Sequence, residues 1–340
     1  MKIFTKKHIN FDYNAIEMPS RHVLKTVERL YHKGYANPNA NYLDGRIAAE
    51  MIEKARDKVA KALHCKSNEI FFTSGASESF AWVSKNFKLS VDKRSHPNLI
   101  SDENKKFRKI PIIAFPLIVS ETGENLKNVY NLNMEGANYF VDLTQAIGKT
   151  KINLSKYSNI KFACASGQKI GGISGCGILY IREDYQKDFK PLIYGAQENG
   201  LRGGTYNVPA IVAFGEAIEE TTKNMSKYIS HKGNIINYIV KYLKKFQVEY
   251  QIHTNVINVT FKNISAATAV ELFNKFGFNV SAGSACHSGD EKPSQAYLES
   301  GYTEEKAMNT IRISIGRRNK LREAKKFVKI LKKILDNYDK

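Results

Sequence analysis

Residues 159–177 read NIKFACASGQKIGGISGCG, a short apolar run with β propensity that stops at Ser166-Gly167-Gln168-Lys169 and meets a glycine-rich segment. Such a stop places Lys169 just past a strand, where the chain turns at a crevice. An earlier apolar run, Tyr139-Phe140-Val141, closes on Asp142 and is followed by Thr144-Gln145. The two runs predict neighbouring parallel strands ending side by side, one with an acid and the other with an amine. In open α/β sheets, ligands bind at these carboxyl ends.

In a chain with 52 Lys+Arg, a lysine after a strand is ordinarily a solvated loop residue. The acid at the adjacent strand end sets this one apart. An amine and a carboxylate so placed are what pyridoxal phosphate (PLP) needs, the amine to hold its carbonyl carbon and the carboxylate to keep its ring nitrogen protonated. A second stretch suits the phosphate. Glu69-Ile70-Phe71-Phe72 reads as a strand, and Thr73-Ser74-Gly75-Ala76-Ser77-Glu78-Ser79 leads into a helix, which aims free N–H groups at an anion. Read locally, the same residues describe a helix capped by Ser74 or Ser77.

The 340 residues allow one large domain and a smaller one. Apolar content of 42% and charged content of 25% are those of a globular chain. No run approaches a membrane span and the N-terminus lacks the apolar core of a signal peptide, so a cytoplasmic location is expected. The four cysteines, Cys65, Cys164, Cys176 and Cys286, show no metal-ligand spacing, and no metal site is expected. Net charge is +19. Its lysines lie along the whole chain with no aromatic-interleaved stripe, so they read as solvated surface and direct nucleic-acid binding is not expected.

In chain order, a short strand and turn is expected at 9–15, then amphipathic helices at 21–34 and 47–64. The stretch 87–110 is polar and reads as surface loop, 112–119 as a strand interrupted by Pro116, and 177–181 as another strand. Helix is expected from 210 to about 222, and a polar hinge at 223–232. Helices at 235–246 and 266–276, strands at 255–261 and 278–281, and a final helix carrying Ala324, Phe327, Leu331 and Leu335 complete the pattern. Strands alternating with helices predict a mostly parallel sheet covered by helices in the large domain, and an α+β small domain.

Two further positions invite chemistry. Cys286 lies in Ser281-Ala282-Gly283-Ser284-Ala285-Cys286-His287-Ser288-Gly289-Asp290, among residues too small to bury it, as in a mobile loop with an accessible thiol; cysteines are otherwise mostly buried. Arg312 sits inside the alternating strand Thr310-Ile311-Arg312-Ile313-Ser314. It needs a partner, either a substrate carboxylate or a structural acid.

Taken together, YANPNANYLDGRIA (35–48), TSGASES (73–79), VDLTQAIGK (141–149), SGQK (166–169), IGGISGCGILYIR (170–182), LIYGAQENGLRGGTYNVP (192–209), GSACHSGDEKPS (283–294) and IRISIGR (311–317) resemble the cysteine desulfurases of aminotransferase class V. These are PLP enzymes of fold-type I. The pieces fall in family order and cover nearly the whole chain. The resemblance implies a large PLP-binding domain at 15–224 and a small domain from 1–14 and 225–340 that carries the catalytic-cysteine loop. It implies Lys169 as the lysine that holds PLP and Cys286 as the nucleophile. Asp142 then partners the ring nitrogen, Gln145 the ring hydroxyl, and Ala76, Ser77, Ser166 and Gln168 the phosphate. Thr205 reaches the phosphate of a neighbouring subunit, which implies a homodimer, while Arg312 and Asn37 contact substrate. L-cysteine would give L-alanine and a persulfide on Cys286, passed to a sulfur acceptor. Three positions depart from the pattern. The span between Ser79 and Ser120 is short, with His96 the nearby candidate for the histidine that stacks on the ring; Gln168 replaces a histidine; and Ser120 replaces an asparagine. The other readings are a different fold-type I lyase or aminotransferase, or a non-catalytic scaffold of that fold.

Overall fold

The computed structural model describes residues 8–96, 112–187, 189–283 and 292–339. Cys286 and His287 lie outside the described residues. From the N-terminus the elements are β1 (Ile9–Asn10), α1 (Arg21–Lys33), α2 (Leu43–Leu63), β2 (Ile70–Thr73), α3 (Ala76–Asn86), β3 (Leu89–Val91), β4 (Ile112–Pro116), β5 (Tyr139–Asp142), β6 (Ile160–Ser166), β7 (Gly177–Ile181), α4 (Glu183–Gln186) and α5 (Val208–Lys223). Then follow α6 (Met225–Phe246), β8 (Glu249–His253), β9 (Val256–Thr260), α7 (Ala266–Lys275), β10 (Phe278–Asn279), α8 (Gln295–Glu299), α9 (Glu304–Met308), β11 (Thr310–Ser314) and α10 (Leu321–Tyr338).

The chain divides into two compact units. The larger comprises Ile16–Ile118 and Leu126–Met225; the smaller comprises the segment up to Ala15, Val119–Asn125 and the chain from Ser226 onward. Residues 119–125, expected in the large domain, therefore cluster with the small one.

In the larger unit a six-stranded sheet has the order β2-β7-β6-β5-β4-β3. Pairs β3/β4, β4/β5 and β5/β6 are parallel, and β7 runs antiparallel between β6 and β2. Nearly every residue of β2 and β4–β7 is buried, which is why these strands read as continuous apolar runs rather than alternating ones. Phe71, Phe140, Phe162, Cys164 and Leu179 meet Phe80, Trp82 and Val83 of α3. On α2, Arg56 lies 4.9 Å from the centroid of the Phe72 ring. Helices α2 and α5 approach closely because Gly215 has no Cβ: one built there would lie 2.8 Å from the Ala55 Cα. Leu89–Val91, expected as loop, forms the edge strand β3. Its three residues are too few to stand out in a lysine-rich stretch.

The smaller unit has an antiparallel sheet, β11-β9-β8, and a parallel pair, β1-β10. Its core gathers Phe11, Ile239, Leu243, Ile257, Phe273, Ile313, Phe327 and Leu331, with the Phe273 and Phe327 rings stacked at 4.8 Å. The stretch 223–232, expected as a hinge, is helical except for Asn224, because α5 ends at Lys223 and α6 starts at Met225. The buried side chains of α6 begin only at Ile235, so its first turns carry no amphipathic signal. Strand β8 was also not expected. It is a mostly exposed edge strand, and a half-solvated edge tolerates polar residues such as Glu249 and Gln251.

Candidate functional site

Asp142 closes β5 directly opposite Cys164 of β6. Its Oδ1 accepts a hydrogen bond from the Thr144 N–H at 2.8 Å and lies 3.8 Å from the Cys164 Sγ. The residue is half-buried at the strand end. Surrounding protein pushes its carboxyl above the ordinary carboxylate pKa, opposed by the Thr144 bonds and by the charge of His96 nearby.

On β6, Phe162, Cys164 and Ser166 fall at every second position and so share one face. Ser166 ends the strand and its Oγ accepts from the Ala76 N–H, the first of α3, at 2.8 Å. Neither Ser74 nor Ser77 caps α3. Gly75 takes the cap position, the Ser74 N–H is held by Glu78 Oε2 at 2.7 Å, and Glu78 is gripped in turn by Arg202 at 2.9 and 3.2 Å. Burial pushes the Glu78 carboxyl up, but the bonds from Arg202 and Ser74 outweigh it and hold its pKa below the usual value. The backbone is tight here: a Cβ on Gly177 would lie 2.5 Å from the Gly75 Cα. What remains at the start of α3 is the exposed Ser77 and first-turn N–H groups that a helix leaves without an intrahelical partner, a geometry that suits an anion.

Gly167–Lys169 forms a single tight turn after β6. It presses against α5 so closely that a Cβ on Gly167 would meet the Phe214 ring at 2.8 Å. Gln168 is held by its carbonyl, which accepts from the Glu17 N–H at 2.9 Å. Its side-chain Oε1 is buried without a hydrogen-bond partner among the described residues. Lys169 is half-buried at the end of the turn. Gln145 is buried and accepts from Lys149 Nζ at 2.6 Å.

Thr205 and Asn37 are exposed, Thr205 ahead of α5 and Asn37 in a loop whose Oδ1 accepts from the Asn39 N–H at 3.0 Å. Arg312 belongs to the smaller unit. It is 3% exposed, pairs with Asp12 Oδ1 at 2.7 Å and donates to the Ser120 carbonyl at 3.1 Å. Its Nε has no hydrogen-bond partner among the described residues. The structural acid considered for Arg312 is thus Asp12. Sequence reading passed over Cys164 as a neighbour of Asp142 and the Glu78–Arg202 pair behind the anion site. The period-two face of β6 carried the first signal; nothing local marked the second, whose members are 124 residues apart.

The aminotransferase class-V profile matches residues 9–111 and 91–327. The chain belongs to the aminotransferase class-V family. It is similar to a cysteine desulfurase IscS of Methanosarcina thermophila, 28% identical over 375 aligned positions that span 97% of this chain and 92% of the relative. A solved structure described as a NifS-like protein superposes with a TM-score of 0.85 at 27% identity, covering 97% of this chain and 99% of that one. Another, described as SspA in complex with cysteine, gives 0.73 at 26% identity over 92% and 99%.

The class-V cofactor is PLP, and the groups present suit it. A buried-side acid at a strand end matches a protonated ring nitrogen, and the start of α3 matches a phosphate. The Gln168 Oε1, without a hydrogen-bond partner among the described residues, is the further observation: with the amide oxygen and nitrogen exchanged, a choice the hydrogen-bond network decides, the amide can donate to an anion. Among the described residues no His, Cys, Asp and Glu group is arranged to hold a metal ion.

Proposed function

We propose that this chain is a PLP-dependent cysteine desulfurase that converts L-cysteine to L-alanine and leaves the sulfur as a persulfide on Cys286. The observation that carries this reading is the pairing at adjacent parallel strand ends, Asp142 on β5 and Lys169 one turn past β6. Similarity to cysteine desulfurases over 97% of the chain supports it. When bound, PLP supplies the electron sink that makes the substrate α-proton removable and the carbon–sulfur bond breakable.

Around that sink each side chain has a separable task. Ionised Asp142 holds the ring nitrogen protonated. Ser77, Gln168 and the first N–H groups of α3 hold the phosphate, while Ser166 braces the Ala76 N–H and Gln145 reaches the ring hydroxyl. Lys169 Nζ would anchor the cofactor and serve as the base that moves the substrate α-proton. Arg312 holds the substrate carboxylate and Asn37 adds a contact. The Cys286 thiolate attacks the substrate sulfur, and its electron pair makes the S–S bond. The C–S bond breaks with its pair left on carbon, where protonation completes alanine.

The proposal extends to a homodimer in which Thr205 reaches the neighbouring subunit's phosphate, to a protein acceptor for the persulfide, and to a cytoplasmic location. The free thiols of Cys65, Cys164 and Cys176 agree with a reducing compartment. Among the described residues no helix is long and apolar enough to cross a membrane.

The test is alanine and sulfide release from L-cysteine by the PLP-loaded protein with a thiol reductant, beside Cys286→Ala. Alanine from the parent, lost in the variant while the yellow colour stays, is expected. A yellow parent that makes no alanine would overturn the reaction, and a colourless one the cofactor assignment.

A further inference from the structure

Lysines that lie scattered in the sequence are gathered by the fold onto one face of the smaller unit. Helix α6 carries five lysines and no Asp or Glu, and α10 carries six Lys and Arg against Glu323 and Asp336. The helices are neighbours. Lys332 Nζ lies 5.5 Å from the Phe246 ring centroid, and the His231 ring bonds the Asn319 carbonyl, just ahead of α10, at 2.8 Å. Both drive their apolar sides into one core, with Ile239 and Leu243 from α6 and Phe327 and Leu331 from α10. Their charged sides are thereby left to solvent, and Lys241, Lys244, Lys245, Lys325, Lys329 and Lys332 are all exposed.

Aromatic rings run through this charge. Tyr238, Tyr242 and Phe246 recur at i, i+4 and i+8, with centroids 5.1 and 5.9 Å apart. The rings are half-buried and the tyrosine hydroxyls lie at the surface. The Tyr242 hydroxyl is held below its ordinary pKa by its hydrogen bond with Tyr238 and by Lys241, Lys245 and Lys325 around it, which places lysines of both helices about one ring.

We propose that the α6–α10 face binds single-stranded RNA, its lysines on the phosphates and its aromatic row against unpaired bases. Cations interleaved with rings are the chemistry of single-strand recognition, because stacking accepts any base while lysines follow the backbone. The surface hydroxyls of Tyr238 and Tyr242 can bond a ribose 2′-OH, which DNA lacks. A lipid surface would need apolar side chains to insert, and no large one is exposed between 238 and 246 or between 325 and 332.

The experiment is fluorescence anisotropy of a labelled single-stranded RNA of about 20 nucleotides, long enough for one such groove, with the full-length PLP-loaded protein at several salt concentrations. Binding is expected to weaken steeply with salt. Lys241→Glu/Lys245→Glu/Lys325→Glu should lose about tenfold or more and lower the log–log salt slope by about 2, since each single-strand phosphate contact contributes about 0.7. Tyr242→Ala should lose about fivefold or more at unchanged slope. A Lys241→Gln/Lys245→Gln/Lys325→Gln variant should move the same way and serves if the reversal variant does not fold. No binding at low salt, or binding untouched by these changes, overturns the proposal. So does equal affinity for single-stranded DNA, for duplex DNA or for polyglutamate, the last pointing to an acidic protein instead.

Discussion

Asp142 as a carboxylate is costly to the folded chain. Burial raises its pKa, so between the unfolded value and the raised folded value the native state binds more protons than the unfolded one, and stability falls as pH rises through that window. Asp142→Asn keeps an oxygen for the Thr144 N–H and removes the charge. The expected outcome is an apo protein that melts about 1–3 °C higher at neutral pH, with the gain gone below the acid pKa range. The same variant should bind PLP at least about tenfold more weakly, because a neutral amide cannot hold the ring nitrogen protonated. Calorimetry of the apo proteins across pH and absorbance titration with PLP measure the two effects. An apo variant less stable than the parent at neutral pH would show that Asp142 has a structural partner instead.

At the scale of elements, two ion pairs fasten helices of the larger unit. Arg56 of α2 grips Glu198 at 2.8 and 3.1 Å, both almost fully buried, and Glu198 holds a left-handed backbone conformation with φ of 51°. Burial works against the Arg56 charge, but Glu198 outweighs it and raises the pKa. Glu198→Ala leaves a buried guanidinium short of its main acid and should cost about 3–5 kcal/mol, whereas an Arg56→Met/Glu198→Leu double change should recover much of that; urea midpoints decide. The second, one carboxylate shared by two basic side chains, is exposed enough to be worth less. Lys58 of α2 and His22 of α1 both reach Glu216 of α5, at 2.7 and 2.8 Å. Burial pushes the Glu216 carboxyl up, but those two bonds outweigh it and hold the pKa down. The stabilisation it gives is therefore present above the unfolded carboxylate pKa and lost as pH falls through the folded one. Lys58→Ala should flatten the acid decline of Tm and cost about 1 kcal/mol at neutral pH, read from melting curves between about pH 3 and 7.

For the whole molecule, a cofactor held as proposed by Asp142, Lys169 and the start of α3 would stabilise the unit containing them. At a thousandfold excess over its Kd, PLP should add about 4 kcal/mol to that unit. Hydrogen exchange should slow in β5 and β6 before it does in β9 and β11, and equal slowing everywhere would place the cofactor elsewhere. What the sequence determined by itself was local. Asp142 and Lys169 stood out because one apolar run closes on Asp142 and another stops just before Gly167-Gln168-Lys169, and the strands and helices around them could be found because burial on one face or two writes a period into the chain. Loop was expected at 87–91 and a hinge at 223–232 because a three-residue strand and a solvent-covered helix leave no such period. Only the tertiary structure decided which residues meet across long separations: Ser166 with the Ala76 N–H, Arg202 with Glu78, Arg312 with Asp12, and the lysines of α6 with those of α10. Those pairings depend on how buried faces dock, and docking joins residues that the linear order keeps far apart.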